Sequence, residues 1–331
     1  MGQKFTVDRD DTLLNFLYRM FPNQGKTGVK KVLGNGQVTV GGQSVTAFDH
    51  PLRKGDTVVI LPKEVSIARA HKEDAADDLS KAGVRIVYED AHLLVADKPS
   101  GLLTVATGKG TAGKELTKRE RTLYALLNAY VKKSAAVVRK EAISEGKPID
   151  RSTQKVWVVH RLDQGTSGLL LFAKDERTKN LLQSKWKELV LERTYTAFVE
   201  GCPAKEKGSV QSWLIEHPKS LKMRSSAEPV EDGQLAITHY RTVGHIFRRD
   251  KILYTKLEFS LQTGRKNQIR VHASDLGTPI AGDEKYGAAT NPAGRLALHA
   301  GMLVLKNPYA RDIIRLESPI PADLRILEDK L

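Results

Sequence analysis

The first 62 residues show two helical periods and then an alternating, strand-like pattern. In "TLLNFLYRMF" (12–21) apolar residues recur every three or four positions, which predicts an amphipathic helix. "GKTGVKKVLGNG" (25–36) predicts a second short helix that ends at glycine. "QVTVGGQSV" (37–45) alternates valine with polar residues ahead of a Gly-Gly turn, which predicts a hairpin, and "LRKGDTVVI" (52–60) predicts a last strand. Residues 1–62 are therefore expected to form one compact domain.

The rest of the chain begins with a segment that has little to bury and continues as a series of short strands. Residues 63–83 are charged and alanine-rich, which favours a linker that could be partly helical. From residue 84 onward short apolar runs dominate, interrupted by a helical pattern in "DERTKNLLQSKWKELV" with Asp175 as N-cap. This mixture predicts an α+β domain over 84–331, with a mixed, largely antiparallel central sheet and flanking helices.

The charge and cysteine content limit the partners and the compartment. A formal net charge of +14 on 331 residues favours a polyanionic partner, most often nucleic acid, over a basic protein with no special partner. A single cysteine cannot form an internal disulfide, which suits a reducing, cytoplasmic setting. No apolar run is long enough to span a membrane, and a monomer is the default expectation.

Half of the net charge falls in one segment, residues 109–155, which holds twelve Lys/Arg and five Asp/Glu. This basic insertion has two interpretations, a solvated loop or an extra element that contacts nucleic acid. A glycine-rich stretch at its start, "GKGTAGKE" (108–115), approaches a phosphate-loop pattern. Glu115 stands where that pattern needs Ser or Thr, so a nucleotide-dependent enzyme is disfavoured. The histidines show no metal-binding spacing.

Two polar segments at strand ends could carry chemistry. "VVHRLDQGTSGLLLFAKD" (158–175) places His160, Arg161 and Asp163 between two apolar runs. "LQTGRKNQIRVHASDLGTPIAGDEKYG" (261–287) contributes further cations and a histidine, namely Arg265, Lys266, Arg270 and His272. Together they could form an anion-binding cleft around one carboxylate.

The residues alone leave the role of that carboxylate open. Asp163 beside an arginine would stay ionised and could act as nucleophile or base. It could equally be a buried partner of Arg161 or Arg270, or the first residue of an Asx turn. Tyr195 lies in a strand-like stretch, where a tyrosine is more often part of the core. At this point the chain is a basic protein expected to bind RNA or DNA through a cleft of Asp and Arg.

Four sequence blocks, in order, resemble the RluA-type family of RNA pseudouridine synthases. They are "VYEDAHLLVADKPSGLLTV", "HRLDQGTSGLLLFAKD", "ERTYTAFVEG" and "TGRKNQIRVHASDLGTPIAGDEKYG". "LALHAGML" is similar to the family's C-terminal strand. The resemblance implies the pseudouridine synthase fold and isomerisation of uridine to pseudouridine, without a metal or an organic cofactor.

The resemblance also implies roles for individual residues. Asp163 would be the catalytic aspartate, attacking the nucleotide or removing a ribose proton, and Arg270 would pair with it. Tyr195 would stack on the base and assist proton transfer at C5. Arg161 would help to displace the uridine from the RNA stack, which chemistry on a base requires. His160, Arg265 and Lys266 would complete the RNA-binding cleft.

The N-terminal unit is similar to an S4 RNA-binding domain in its order of helix, helix, hairpin and Gly-Asp turn. Lys26, Lys30 and Lys31 would form its basic face. The resemblance to members of the RluA-type family that carry an S4 domain implies large-subunit ribosomal RNA as the first expected substrate and transfer RNA as the second. The alternative to an enzyme is a catalytically idle RNA-binding or ribosome-assembly factor. The alternative to RNA binding by the N-terminal unit is a purely structural role.

Overall fold

The computed structural model describes residues 3–106, 122–145 and 155–329. The glycine-rich stretch 108–115 and much of the basic insertion 109–155 lie outside the described residues. By its internal contacts the chain divides into two units. The first comprises Met1–Lys81 and Leu126–Val156, and the second comprises Ala82–Ala125 and Trp157–Leu331. Within the described part of the chain, no helix is both long and apolar enough to cross a bilayer.

The first unit is a small α/β assembly with an antiparallel sheet in the order β1-β6-β3-β4. The predicted helices and hairpin are confirmed, and the hairpin turn uses Gly41 and Gly42 at positive φ, as a two-residue turn requires. The elements are β1 (Gln3–Thr6), β2 (Asp11–Thr12), α1 (Leu13–Met20), α2 (Lys26–Gly34), β3 (Val38–Val40), β4 (Gln43–Ser44), β5 (Pro51–Leu52), β6 (Thr57–Ile60), α3 (Lys63–Lys81) and α4 (Leu123–Glu145), whose first residues belong to the second unit.

This division differs from the sequence analysis in two places. The segment 63–83, expected to be a linker, is largely the helix α3, and it belongs to the first unit. Ala75 and Leu79, one helical turn apart, are both buried, so the segment does have an apolar stripe to cover. Residues 126–156, expected within the catalytic domain, also group with the first unit.

The second unit is built on an eleven-stranded sheet in the order β13-β12-β14-β15-β11-β16-β10-β8-β7, with β17 beside β16 and β9 beside β10. All its pairings are antiparallel except β10 with β16, so the predicted α+β class is confirmed. The strands are β7 (Arg85–Glu89), β8 (Leu93–Lys98), β9 (Trp157–Val158), β10 (Ser167–Ala173), β11 (Val190–Glu200), β12 (Lys207–Glu216), β13 (Met223–Ser226), β14 (Gln234–Arg248), β15 (Lys251–Leu261), β16 (Leu298–Lys306) and β17 (Ile313–Glu317). The helices are α5 (Glu176–Ser184), α6 (Trp186–Leu189), α7 (Gln268–Asp275) and α8 (Ala322–Glu328), with a 3₁₀ turn at Glu284–Tyr286.

The single helix expected after Asp175 is broken into α5 and α6. Asp175 does cap α5, accepting a hydrogen bond from the Thr178 N–H at 2.7 Å. The break lies at Lys185, and the side chain of Trp186, which follows it, is half-buried.

The central strand β10 fixes the segment that precedes it. Every residue from Ser167 to Ala173 is buried, and the strand contacts β8 on one side and β16 on the other. Gly168 has φ +112°, and a Cβ there would lie 2.3 Å from the Ala300 carbonyl oxygen. Only glycine permits this close approach of β10 to β16, which anchors the start of β10 a few residues after Asp163.

Candidate active site

The loop that carries Asp163 joins β9 to β10 and is held by hydrogen bonds from residues 98–104. The Thr104 hydroxyl donates to the Leu162 carbonyl at 2.9 Å, and the Ser100 hydroxyl donates to the Gly165 carbonyl at 2.7 Å. These bonds flank Asp163 on both sides in the sequence. The backbone under the carboxylate is therefore fixed by the fold.

Lys98 is the central support of this loop. Its side chain is fully buried, and its amine donates to the carbonyls of Pro99, Leu102 and Gln164 at 2.9, 2.8 and 3.1 Å. Burial, and secondarily the charge of Arg295, lower the pKa of Lys98 to about 7. Sequence reasoning counted Lys98 only as part of a family block and missed this contact.

Asn267 is the closest hydrogen-bonding partner of Asp163. The Met223 N–H donates to the Tyr286 hydroxyl oxygen at 3.1 Å, which leaves the Tyr286 hydrogen free to donate to the Asn267 side-chain oxygen at 2.9 Å. With the amide oriented in this way, Asn267 Nδ2 donates to both Asp163 oxygens, at 2.8 Å to Oδ2 and 3.0 Å to Oδ1. Sequence reasoning missed Asn267, which adopts a left-handed conformation (φ 55°) just before α7.

Arg270 approaches Asp163, but it is held chiefly by another carboxylate. Its Nη1 lies 3.6 Å from Asp163 Oδ2, while Nε and Nη2 each donate to Asp283 at 2.7 Å. Burial opposes the charge of Arg270, but the two bonds to Asp283 outweigh it and raise the pKa of Arg270. Arg270 therefore contacts Asp163 as expected, but less closely than it contacts Asp283, with which it forms a bidentate ion pair. Its guanidinium also lies over the Tyr286 ring, 4.9 Å from the ring centre.

Tyr195 borders the same cleft from β11. Its side chain is 6% exposed, and burial raises the pKa of its phenol. The hydroxyl therefore stays protonated at neutral pH and can donate or accept a hydrogen bond.

The cleft has a volume of 730 Å³ and gathers most of the residues singled out by the sequence. They are His160, Arg161, Asp163, Tyr195, Arg265, Lys266 and Arg270. Lys26, Lys30 and Lys31 lie elsewhere, exposed on α2 of the first unit. Arg161 and Arg265 are exposed, whereas Lys266 forms an ion pair with Glu216.

His160, predicted to be one of the RNA-binding residues, has its ring engaged with the backbone of β10. Its Nε2 accepts a hydrogen bond from the Leu171 N–H at 3.0 Å, which requires an unprotonated nitrogen. Burial of the ring, with a contribution from Arg193, lowers the pKa of His160 to about 3. Although part of the side chain borders the cleft, the ring is neutral at physiological pH and fastens the Asp163 loop to β10.

Comparison with known proteins identifies the scaffold. The family model described as RNA pseudouridylate synthase matches residues 92–275, more than half of the chain. The chain belongs to this family. Asp163, Tyr195, Asn267 and Arg270 lie within the matched range of the synthase, whereas Asp283 and Tyr286, which hold Arg270 and Asn267, lie just beyond it.

Individual relatives cover most of the synthase. It is 33% identical over 276 residues to "Uncharacterized RNA pseudouridine synthase YhcT" of Bacillus subtilis, with 83% of this chain and 79% of the relative covered. It is 30% identical over 333 residues to "Ribosomal large subunit pseudouridine synthase D" of Xanthomonas campestris, covering 95% and 87%.

A solved structure supports the fold. "Human RNA Pseudouridylate Synthase Domain Containing 4" superposes with a TM-score of 0.56 at 21% identity, over 80% of this chain and 97% of that one. The expected pseudouridine synthase fold is confirmed. The S4-like character of the first unit stays a prediction.

Proposed function

We propose that this RNA pseudouridine synthase isomerises specific uridines in large-subunit ribosomal RNA and that Asp163 is its catalytic carboxylate. The observation that carries the assignment is Asp163 itself, fixed from below by residues 98–104 and from the side by Asn267, and bordering the cleft. The choice of RNA is supported by the relatives named as large-subunit synthases, from Xanthomonas campestris and Rickettsia felis.

The reaction needs only groups that the cleft contains. The bond from N1 of uracil to C1′ of the ribose breaks, a bond from C5 to C1′ forms, a proton leaves C5 and one proton is taken up at N1. The formula of the nucleotide is unchanged, so no oxidant or reductant is consumed. Asp163 acts on the nucleotide as nucleophile or as base, and the protonated Tyr195 stacks on the uracil and assists proton transfer at C5.

Arg161 and Arg270 serve binding and positioning in this proposal. Arg161 is exposed beside Asp163 and takes the place of the flipped uridine in the RNA stack. Arg270, locked by Asp283, presents its remaining nitrogen to Asp163 and keeps a fixed positive charge beside it. Arg265 and Lys266 add cations for backbone phosphates on the same rim.

The test is an in vitro reaction with purified protein. Unmodified large-subunit ribosomal RNA and transfer RNA of the host are incubated with it separately, and pseudouridine is mapped in each. We expect new pseudouridine at one or a few positions of the ribosomal RNA. Modification of transfer RNA alone would overturn the substrate, and no pseudouridine in either RNA would overturn the proposal for naked RNA.

The first unit is proposed to hold the RNA backbone through Lys26, Lys30 and Lys31, all exposed on α2. Replacing Lys30 and Lys31 with Gln should weaken RNA binding and reduce the slope of log affinity against log salt by about 1.5, because two phosphate contacts are lost. The turnover number at saturating RNA should not change. Filter binding over a salt series checks this, with Lys4→Gln/Lys81→Gln as a control of equal charge, and equal slopes for both variants would contradict it.

His160 is expected to behave differently from these lysines. Since its ring is neutral and accepts a backbone hydrogen bond, His160→Gln should leave the salt dependence of RNA binding unchanged. It should instead lower the melting temperature. RNA binding over the same salt series and a thermal melt check this. If the slope of log affinity against log salt fell by the amount expected for one lost phosphate contact, His160 would be a cationic contact to the RNA.

A further inference from the structure

One wall of the cleft takes no part in the chemistry assigned to Asp163 and Tyr195. It is formed by Lys185, Trp186 and Lys187, at the point where the chain breaks between α5 and α6. Both lysines are exposed, and Trp186 is half-buried. A large aromatic side chain flanked by cations on the wall of an RNA-binding cleft is the composition of a stacking platform.

Trp186 is held rigidly. Part of its ring packs against the apolar core around β10 and β11. The His160 ring lies 5.0 Å away at a tilt of 50°, and the guanidinium of Arg193 lies over the indole at 5.5 Å. Since neutral His160 is itself fixed to β10, the indole does not need to be ordered by the RNA, which lowers the entropic cost of binding.

Arg193 is a cation in this wall whose guanidinium is free to bind an additional anion. Its contacts to the carbonyls of Leu261 and Thr263 are long, 3.4 Å each, and no salt bridge of Arg193 is found within the described residues. Gly264 makes room for it, because a Cβ there would lie 3.0 Å from Arg193 Nη1. A half-buried guanidinium without an acidic partner, beside an aromatic ring and open to a cleft, is suited to an anion.

We infer that Trp186 and Arg193 form a second nucleotide subsite, which binds the nucleotide next to the target uridine. The neighbouring base stacks on the part of the Trp186 indole that is exposed to the cleft, and Arg193, beside it, binds the phosphate between the two nucleotides. The cleft volume of 730 Å³ leaves room for more than the uracil acted on by Asp163. This inference rests on the proposed function and adds the residues that read the RNA beside the reacting base.

The test is a double-mutant cycle between protein and RNA, read as affinity so that it does not depend on isomerisation. The probe is a short stem-loop with a loop uridine, taken from the ribosomal RNA segment that the wild-type protein binds most tightly. It is made intact and with the base removed on the 5′ or the 3′ side of that uridine. Trp186→Leu keeps an apolar side chain for the core, and Trp186→Phe keeps an aromatic face.

We expect Trp186→Leu to bind the intact probe about 10-fold more weakly and Trp186→Phe to retain most of the affinity. On the probe that lacks the stacked base, the wild type and Trp186→Leu should bind equally. An equal loss for Trp186→Leu on all three probes would overturn the subsite, because the side chain would then act only through the core. Pseudouridine formed by the wild type in the intact probe is scored separately, so failure of the proposed function is distinguished from failure of the subsite.

Arg193 is tested in the same cycle. Arg193→Gln should weaken binding of the intact probe, and Arg193→Lys should restore part of it. With a neutral methylphosphonate linkage between the uridine and its neighbour, the wild type and Arg193→Gln should bind alike. A full effect of Arg193→Gln on the neutral linkage would remove the phosphate contact from the proposal.

Discussion

Replacing Asp163 with Asn should reduce the rate of pseudouridine formation by about 10³-fold or more while RNA affinity stays close to that of the wild type. The amide has the shape of the carboxylate, and its oxygen can still accept from Asn267, so the loop and the cleft persist. What is lost is the group that attacks the nucleotide or removes its proton. Single-turnover kinetics and filter binding on the same RNA measure the two quantities.

Asp312→Asn serves as the matched control, because it makes the same chemical change at an exposed position away from the cleft. Product formed at the normal rate by Asp163→Asn would remove Asp163 from catalysis. If Asp163→Asn lost both RNA binding and product formation, the carboxylate would be needed to bind the RNA.

Replacing Lys98 with Met should lower the free energy of unfolding by about 3 kcal/mol, since three carbonyls lose hydrogen bonds from the buried amine and each lost bond costs about 1 kcal/mol. Methionine fills a similar volume, so the effect belongs to the lost hydrogen bonds. Catalysis should fall as well, because the Gln164 carbonyl lies next to Asp163. Chemical denaturation and kinetics check this, with Lys81→Met as the surface control.

The same lysine gives wild-type stability a particular pH dependence. Because its pKa is about 7 in the fold and 10.5 when unperturbed, the unfolded chain binds the proton more tightly between these values. The free energy of unfolding contributed by this site therefore rises as pH increases from about 7 toward 10.5. Denaturation at both ends of this window should show the rise in the wild type and a smaller one in Lys98→Met; identical pH profiles would contradict a buried, titrating amine.

The chain order of strands and the loop of Asp163 were predictable, because both follow from local pattern. Leu13 and Leu17, one helical turn apart, mark the buried face of α1 by spacing alone. The polar loop between two apolar runs drew attention to Asp163 because charged residues interrupt a sheet there. The spacing of apolar residues shows which face of a helix is buried and where a strand begins and ends. The structure has α1 and the Asp163 loop where this spacing predicts them.

The partners of Asp163 were not predictable in the same way. Asn267 is one polar residue in a polar run, and its role depends on the hydrogen that Tyr286, 19 residues away, donates to its side-chain oxygen. Arg270 was assigned to Asp163, yet Asp283 holds it more closely. Such choices depend on distances between segments that the sequence does not encode locally.

Some features that the sequence analysis missed were nevertheless indicated by the sequence. Lys98 ends a strand whose residues from Leu93 to Ala96 are all buried, so burial of its amine could have been suspected. Ala75 and Leu79 mark a helical stripe in the expected linker. The neutrality of His160 depends on the Leu171 N–H and could be found only in the fold.

The most direct test of the account is a pseudouridine map of all RNA from host cells that lack this gene and carry either the wild-type gene or the Asp163→Asn gene at equal protein level. We expect one or a few uridines of large-subunit ribosomal RNA to be modified with the wild type and to stay uridine with Asp163→Asn. Identical maps from the two strains, with those sites modified in both, would contradict the central claim that Asp163 carries the isomerisation.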